Sequence, residues 1–146
     1  MTLHYFTIID GSQKKVNMAV FDEIDSFHKT HEYATIDDDL VQLMQPSLQW
    51  LNSYWTTQGM KKGLPYDSYS VVSGVDLEQL FQLFTAWQDL FKLAPCKVPI
   101  SEYCDENDKH RYRMLSRHQI LDQMASVISL LEKAKAEKCN ILYEGI

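Results

Sequence analysis

Residues 76–94 read DLEQLFQLFTAWQDLFKLA, and this stretch predicts the helix around which the rest of the chain packs. Its apolar side chains recur at helical spacing and span about half of the helix circumference, which is more than a surface helix needs. They are Leu77, Leu80, Phe81, Leu83, Phe84, Trp87, Leu90, Phe91 and Ala94. We expect Asp76 to be the N-cap, with Gln79 completing a capping box, and Pro95 to end the helix. A helix this broad should be covered on two sides, by a second helix and by a sheet.

The composition indicates one folded domain over residues 1–146. The hydrophobic fraction is 45% and the aromatic fraction 12%, with only 5 Gly and 4 Pro, which excludes a disordered or fibrous chain. A chain of this length buries about two thirds of its unfolded surface, so it should fold without a metal or a disulfide.

The net charge limits the kinds of partner that we expect, and the cysteine content limits the cellular compartment. The net charge of -6 disfavours binding to nucleic acid and favours a basic partner. Cys96, Cys104 and Cys139 cannot all pair within the chain, and no signal-like leader precedes the first strand, so we expect reduced thiols and a cytoplasmic location. No run of about 18 apolar residues suggests a membrane span.

The N-terminal half predicts one hairpin and several helices. Residues 3–9 and 16–21 are apolar runs separated by a polar DGS turn, which is typical of a β-hairpin. Residues 22–31 are interpreted as a short helix. Another helix should begin at the three aspartates 37–39, because carboxylates suit a first helical turn. After Pro46, residues 47–58 either continue this helix with a kink or form a separate one.

The C-terminal half predicts alternating elements. Residues 59–67 should be a loop and residues 69–73 a short strand. Two strands, 97–103 and 110–115, flank a polar turn, and Ser116 with Gln119 forms a capping box for a long helix that keeps its apolar period to Ala134. Residues 141–146 should form a strand beside the N-terminal strand. The expected fold class is α+β, a mainly antiparallel sheet including both terminal strands, packed on two long amphipathic helices plus shorter helices.

The sequence contains no complete catalytic or metal-binding motif. Asp25, His28, His31 and Glu32 form a D-x-x-H-x-x-H-E cluster, but the metalloprotease pattern needs histidines at i and i+4 with a glutamate between them. The cysteines lack C-x-x-C spacing, and neither G-x-S-x-G nor a P-loop is present. We therefore predict no catalytic residue, no metal and no cofactor.

Three groups of residues remain as candidate sites. A basic cluster could contact phosphate or an acidic surface, or it could simply balance the acidic turn beside it; its members are His110, Arg111, Arg113, Arg117 and His118. Surface carboxylates could steer a basic partner, and exposed aromatics could supply affinity, although they could equally fill the core. The predicted partner-binding set is Asp37, Asp38, Asp39, Trp50, Tyr54, Tyr66, Tyr69, Asp105, Glu106 and Asp108.

Two segments carry a resemblance to a family. The stretches AWQDLFKLAP (86–95) and ILYEGI (141–146) resemble segments of small bacterial immunity proteins associated with contact-dependent or polymorphic toxins. The resemblance implies a non-enzymatic protein that binds and blocks a cognate toxin, often a nuclease. Two alternatives stay open: a small enzyme that acts on an anionic substrate through the basic cluster, and a structural protein that self-associates.

Overall fold

The computed structural model describes residues 2–14, 31–56 and 58–146. These ranges contain eight strands and three helices. They are, in chain order, β1 (Leu3–Ile9), β2 (Tyr33–Asp37), α1 (Asp38–Leu48), β3 (Asn52–Trp55), β4 (Gly59–Lys62), β5 (Tyr69–Val72), α2 (Gly74–Phe91), β6 (Lys97–Cys104), β7 (His110–Ser116), α3 (Arg117–Ala136) and β8 (Asn140–Glu144). Among the described helices, none is both long and apolar enough to cross a membrane.

Six strands form one antiparallel sheet in the order β2-β1-β8-β5-β3-β4. The late strand β8 lies in the middle, where it pairs with β1 on one side and with β5 on the other. Phe6 lies opposite Tyr143, and Val72 opposite Ile141. The predicted pairing of the two terminal strands is therefore confirmed, as is the α+β fold class.

Helices α2 and α3 pack on each other and on one face of this sheet. The ring of Phe84 meets that of Phe6 edge-on, with centroids 5.6 Å apart, and both side chains are buried. The apolar face of α2 is narrower than its sequence predicts, because Leu90 is 56% exposed. The helix is thus a core element with one apolar edge left in solvent.

The N-terminus of α2 differs from the predicted capping box. The N-cap is Ser73, three residues before the expected Asp76, and Gly74 follows at a φ of +57°, a conformation that favours glycine. The carboxylate of Asp76 accepts a hydrogen bond from the backbone N–H of Asn52 instead, at 2.9 Å. The Asp76 carboxylate, which the sequence predicts to cap α2, therefore binds a main-chain group of another segment.

The segment between α1 and α2 contains three strands, so the helix predicted over residues 47–58 is wrong beyond Leu48. The loop predicted over 59–67 is wrong for residues 59–62, which are strand, and right for 63–67. Helix α1 continues through Pro46 to Leu48, and β3 and β4 follow as a hairpin. Strand β2 was also missed. The strand predicted at 16–21 lies outside the described residues, as does the helix predicted at 22–31 except for His31. Strand β5 is confirmed at Tyr69–Val72.

A separate two-stranded hairpin of β6 and β7 leads into α3. Both strands lie where the sequence predicts them, and the capping box is confirmed: the hydroxyl of Ser116 accepts from the N–H of Gln119 at 3.1 Å. In the described part of the chain, no other strand pairs with either edge of this hairpin.

Candidate functional site

The aspartates at 37–39 cap α1 and form an ion-pair cluster with the hairpin. Asp37 is the N-cap, and its side chain accepts from the N–H of Asp39 at 3.0 Å. Arg113 of β7 donates to both oxygens of Asp37, at 2.8 Å and 2.6 Å. The hydrogen bonds that Arg113 donates to Asp37, and next the one it donates to Asp39, raise its pKa, so the guanidinium is permanently charged.

A second carboxylate strengthens the same contact. Asp39 accepts hydrogen bonds from Arg113 and from the hydroxyl of Ser101, the latter at 3.1 Å. The cluster therefore ties both strands of the hairpin to the first turn of α1. Asp37 is fully buried, so the expectation that this aspartate lies at the surface is wrong. Its charge is neutralised by Arg113 rather than presented to a partner.

The middle aspartate, Asp38, belongs to a second network that runs into the core. His4 Nε2 lies 2.8 Å from Asp38 Oδ1, and the Tyr143 hydroxyl lies 2.6 Å from His4 Nδ1. Tyr66 and Gln42 also donate to Asp38 Oδ2, at 3.0 Å and 2.8 Å. Burial raises the pKa of Asp38, but the hydrogen bonds from His4, Gln42 and Tyr66 outweigh it, so the net shift is downward.

The hydrogen bonds of this network serve to hold several elements of the fold together. His4 is fully buried and has a partner at each ring nitrogen. Burial raises the pKa of Tyr143, and burial together with Asp38 raises the pKa of Tyr66, so both phenols keep their protons. With the Tyr143 phenol donating to Nδ1, the Nε2–H of His4 donates to Asp38. This network links β1, β8, α1 and the loop that carries Tyr66.

The basic cluster does not converge on one anion site. No two of its five side chains share a partner: His110 pairs with Glu102 at 2.6 Å, Arg111 with Asp105 at 2.9 Å, Arg113 with Asp37 and Asp39, Arg117 with the carbonyl of Ala94 at 2.9 Å, and His118 with Asp122 at 3.1 Å. The predicted balance across the hairpin is confirmed for Arg111. For Arg113 it is wrong, since the partner carboxylates come from α1.

The aromatic residues of the central segment do not form one surface. Trp50 is 63% exposed and Tyr66 42%, and the Tyr66 hydroxyl donates a hydrogen bond to Asp38. Tyr54 and Tyr69 pack on the sheet face opposite α2 and α3, against a small cluster of Ile9, Val71 and Leu142. The interpretation that such residues fill the interior fits these two tyrosines better than a binding role does.

The hairpin instead exposes residues that the sequence analysis did not select. Tyr103 is 53% exposed, Tyr112 55% and Met114 46%. The available signal was the alternation along β7, because side chains next to Arg113 must point to the opposite face of the ribbon. Once Arg113 binds the body of the domain, Tyr112 and Met114 point away from it.

Three of the predicted acidic residues lie in the turn of this hairpin, between Cys104 and His110. Asp105 organises the turn, accepting from the N–H groups of Asn107 and Lys109 at 2.9 Å and 3.1 Å. The hydrogen bond from Arg111, followed by those backbone donors, lowers the pKa of Asp105. The carboxylates of Glu106 and Asp108 have no partner among the described residues, and both residues are exposed.

Metal and cysteine chemistry find little support in the described ranges. No group of three His, Cys, Asp or Glu side chains there could hold a metal ion. Of the predicted histidine cluster, Asp25 and His28 lie outside these ranges, and Glu32 pairs with Lys133. Cys96, Cys104 and Cys139 are free thiols.

Comparisons with protein-family models, curated proteins and solved structures found no match to this chain.

Proposed function

We propose that this chain works by binding another protein, and specifically as an immunity protein that covers and inhibits a basic toxin domain in the cytoplasm. One observation carries the proposal: exposed aromatic side chains and unpaired carboxylates occur together on the β6–β7 hairpin. Tyr103 and Tyr112 supply the aromatics, and Glu106 and Asp108 supply the charges. Tyrosines are enriched among the residues that dominate binding energy, while rim carboxylates accelerate encounter with a basic surface.

The register of the hairpin indicates how a partner would contact it. Tyr103 lies opposite Arg111 and Tyr112 opposite Glu102, so adjacent pairs place the two tyrosines on opposite faces of the ribbon. A ribbon with aromatics on both faces suits a cleft better than a flat surface. Arg113 supports this role, because its bonds to Asp37 and Asp39 fix the hairpin before binding and reduce the entropy lost on association.

The first experiment identifies the partner. The chain is used to capture its partner from the native cell, and the captured protein is tested for toxicity with and without co-expression of the chain. The proposal expects a toxic domain whose effect the chain abolishes. A captured protein without toxicity, or toxicity that the chain leaves unchanged, would remove the immunity role.

The second experiment asks whether the hairpin is the binding surface. Tyr103→Ala with Tyr112→Ala should weaken binding to the captured domain at least about 30-fold, as expected for hot-spot tyrosines. Trp50→Ala is the matched control, an exposed aromatic that is not part of the hairpin, and should change the affinity little. An equal loss of affinity in the double tyrosine variant and in Trp50→Ala would argue against the hairpin as the binding surface.

Charge is tested separately from aromatic contact. Glu106→Lys with Asp108→Lys should slow association about tenfold at low salt and flatten its salt dependence, leaving dissociation nearly unchanged. Asp67→Lys, at another exposed carboxylate, serves as the control. Inorganic phosphate that binds the chain and is lost in an Arg111→Ala, Arg113→Ala variant would favour the enzyme alternative instead.

A further inference from the structure

We propose that the outer edge of β2, together with the groove between β2 and α3, docks an extended segment of the partner that adds a strand to the sheet and places a basic side chain beside Asp122. This proposal rests on the proposed protein-binding function and names a second contact for it. Strand addition uses main-chain hydrogen bonds for affinity and side-chain pockets for selectivity.

The hydrogen-bond pattern shows which groups of β2 point outward. The N–H of Ile8 donates to the carbonyl of Glu32 at 3.0 Å, and the N–H of Asp38 donates to the carbonyl of Thr2 at 3.1 Å. Antiparallel ladders alternate, so the even-numbered residues between them bond to β1 and the odd-numbered ones face away. The main-chain groups of Thr35 and Asp37 are therefore on the outer edge.

These two outward positions differ in their partners. The N–H of Asp37 donates to the side-chain oxygen of Gln123 on α3, at 2.8 Å. The N–H and C=O of Thr35 have no hydrogen-bond partner among residues 2–14, 31–56 and 58–146. Helix α3 thus closes one end of the β2 edge, and one ladder position further along no described residue pairs with that edge.

A groove adjoins this open position. It consists of two neighbouring depressions of about 480 Å³ and 370 Å³ that share Tyr33, Asp122 and Ser126. The α3 wall carries small side chains at Ala125, Ser126 and Ser129. Short side chains on the helix leave room for a strand to approach the main chain of Thr35.

The opposite edge of the sheet, strand β4, is protected against strand addition, and the β2 edge lacks the same protection. Strand β4 is four residues long and carries Lys61 and Lys62, a common protection against strand addition. Strand β2 reads YATID and has neither lysine nor proline. Of the two edge strands described, β2 alone therefore has the composition of a pairing edge.

The charges along the groove indicate which kind of strand would bind there. Glu32 at one end of the groove is neutralised by Lys133. Asp122 is 65% exposed and faces His118, which is charged only when protonated. A lysine or arginine on the docked strand would complement Asp122. A second copy fits poorly, because symmetric pairing centred on Thr35 would place Tyr33 opposite the other copy's Asp37, whose outward N–H is already bonded.

The groove lies close enough to the hairpin for one partner to contact both. Helix α3 follows β7 directly, and Asp122 is six residues after Ser116, or about 9 Å along the helix axis. A single strand is a small interface, so we expect it to add to the hairpin contact and not to replace it.

The test uses a defined peptide, independent of any toxin. The probe is the acetylated and amidated hexapeptide Thr-Val-Lys-Val-Thr-Val, titrated into isotope-labelled protein and followed by amide chemical shifts. Shifts should concentrate at Thr35 and at residues 122–129. Replacing the lysine of the peptide with glutamate should weaken binding about fivefold, because a weak attraction at an exposed pair becomes a weak repulsion.

Matched variants identify the groove. Ser126→Trp fills it at an exposed helical position and should abolish the shifts at Thr35, whereas Ala136→Trp, also exposed and ten residues, or about 15 Å, further along α3, should leave them unchanged. Thr35→Pro removes the outward N–H but no hydrogen bond to β1, a change that edge strands tolerate. It should lower the affinity for the peptide at least tenfold.

Three outcomes would overturn the proposal. These are shifts spread over the whole protein, equal binding by the Ser126→Trp variant, and a concentration-dependent dimer in light scattering that Thr35→Pro removes, which would assign the edge to a second copy. The proposed function fails separately, through the toxin co-expression and the hairpin variants, so the two failures are distinguishable.

Discussion

Replacing Arg113 with methionine should destabilise the protein by about 3 kcal/mol, the lower end of the range for breaking a buried ion pair. The lower end applies because the Arg113 side chain is 33% exposed, although its partner Asp37 is 0% exposed. The variant leaves the Asp37 carboxylate buried without a counter-ion and removes the tie between the hairpin and α1. In a chain of this size, such a loss lowers Tm by about 6–12 °C.

Urea and thermal unfolding measure this loss, and Arg111→Met provides the matched control. Arg111 is on the same strand and face, but its ion pair with Asp105 is exposed, so its removal should cost less than about 1 kcal/mol. Hydrogen exchange at the hairpin amides should accelerate more in the Arg113→Met variant than in the Arg111→Met variant. Equal destabilisation by the two substitutions would refute the reasoning that burial of Asp37 makes the Arg113 contact decisive.

Three further predictions concern the Asp38 network, the N-cap of α3 and the close packing at Gly145. The folded-state pKa of Asp38 is lowered, so its contribution to stability is present above about pH 4 and is lost on acidification; urea unfolding from pH 7 to pH 2 should show a steeper acid loss in the natural protein than in Asp38→Asn. Ser116→Ala removes the hydroxyl of the capping box and should cost about 1 kcal/mol, whereas Ser126→Ala should be nearly neutral in the same denaturation assay. Gly145→Ala would place a Cβ 2.2 Å from the carbonyl oxygen of Tyr66; it should cost about 2 kcal/mol through overpacking and be visible as a lower Tm.

The elements predicted correctly are those whose signals are local. Helix α3 has its start marked by Ser116 and Gln119 and its period kept through Ala134, so a few turns of sequence suffice. The two hairpin strands are marked by alternation and by the polar turn between them. For such elements, the neighbours in sequence are also the neighbours that decide the structure.

The elements missed are those decided by distant residues. Spacing of Leu48, Leu51 and Trp55 fits a helix, yet residues 52–55 are a strand because β4 and β5 pair with them on both sides. Asp76 has the identity of an N-cap, but the N–H of Asn52 takes its carboxylate. Propensity is a weak prior that tertiary pairing overrides.

The candidate site was predictable only in part, for the same reason. The aspartates were correctly read as a helix start, but no local pattern indicates that Arg113, 76 positions away from Asp37, neutralises them. The acidic turn residues Glu106 and Asp108 were selected from sequence and are exposed in the fold. Tyr112 could be recognised only after the inward face of the hairpin was known. Tyr103 shares the face of Arg113, so only its exposure in the fold reveals it.

The central position of β8 has a consequence for synthesis of the protein. Residues 140–144 join β2-β1 to β5-β3-β4, so these two halves of the sheet stay separate until that stretch of the nascent chain has left the ribosome. Until then, β1 and β5 each carry an unpaired edge, which is a template for aggregation. Loop closure between residues 3–9 and 140–144 should also make folding slow. A chain stalled before Asn140 would therefore depend on chaperones that bind exposed strands.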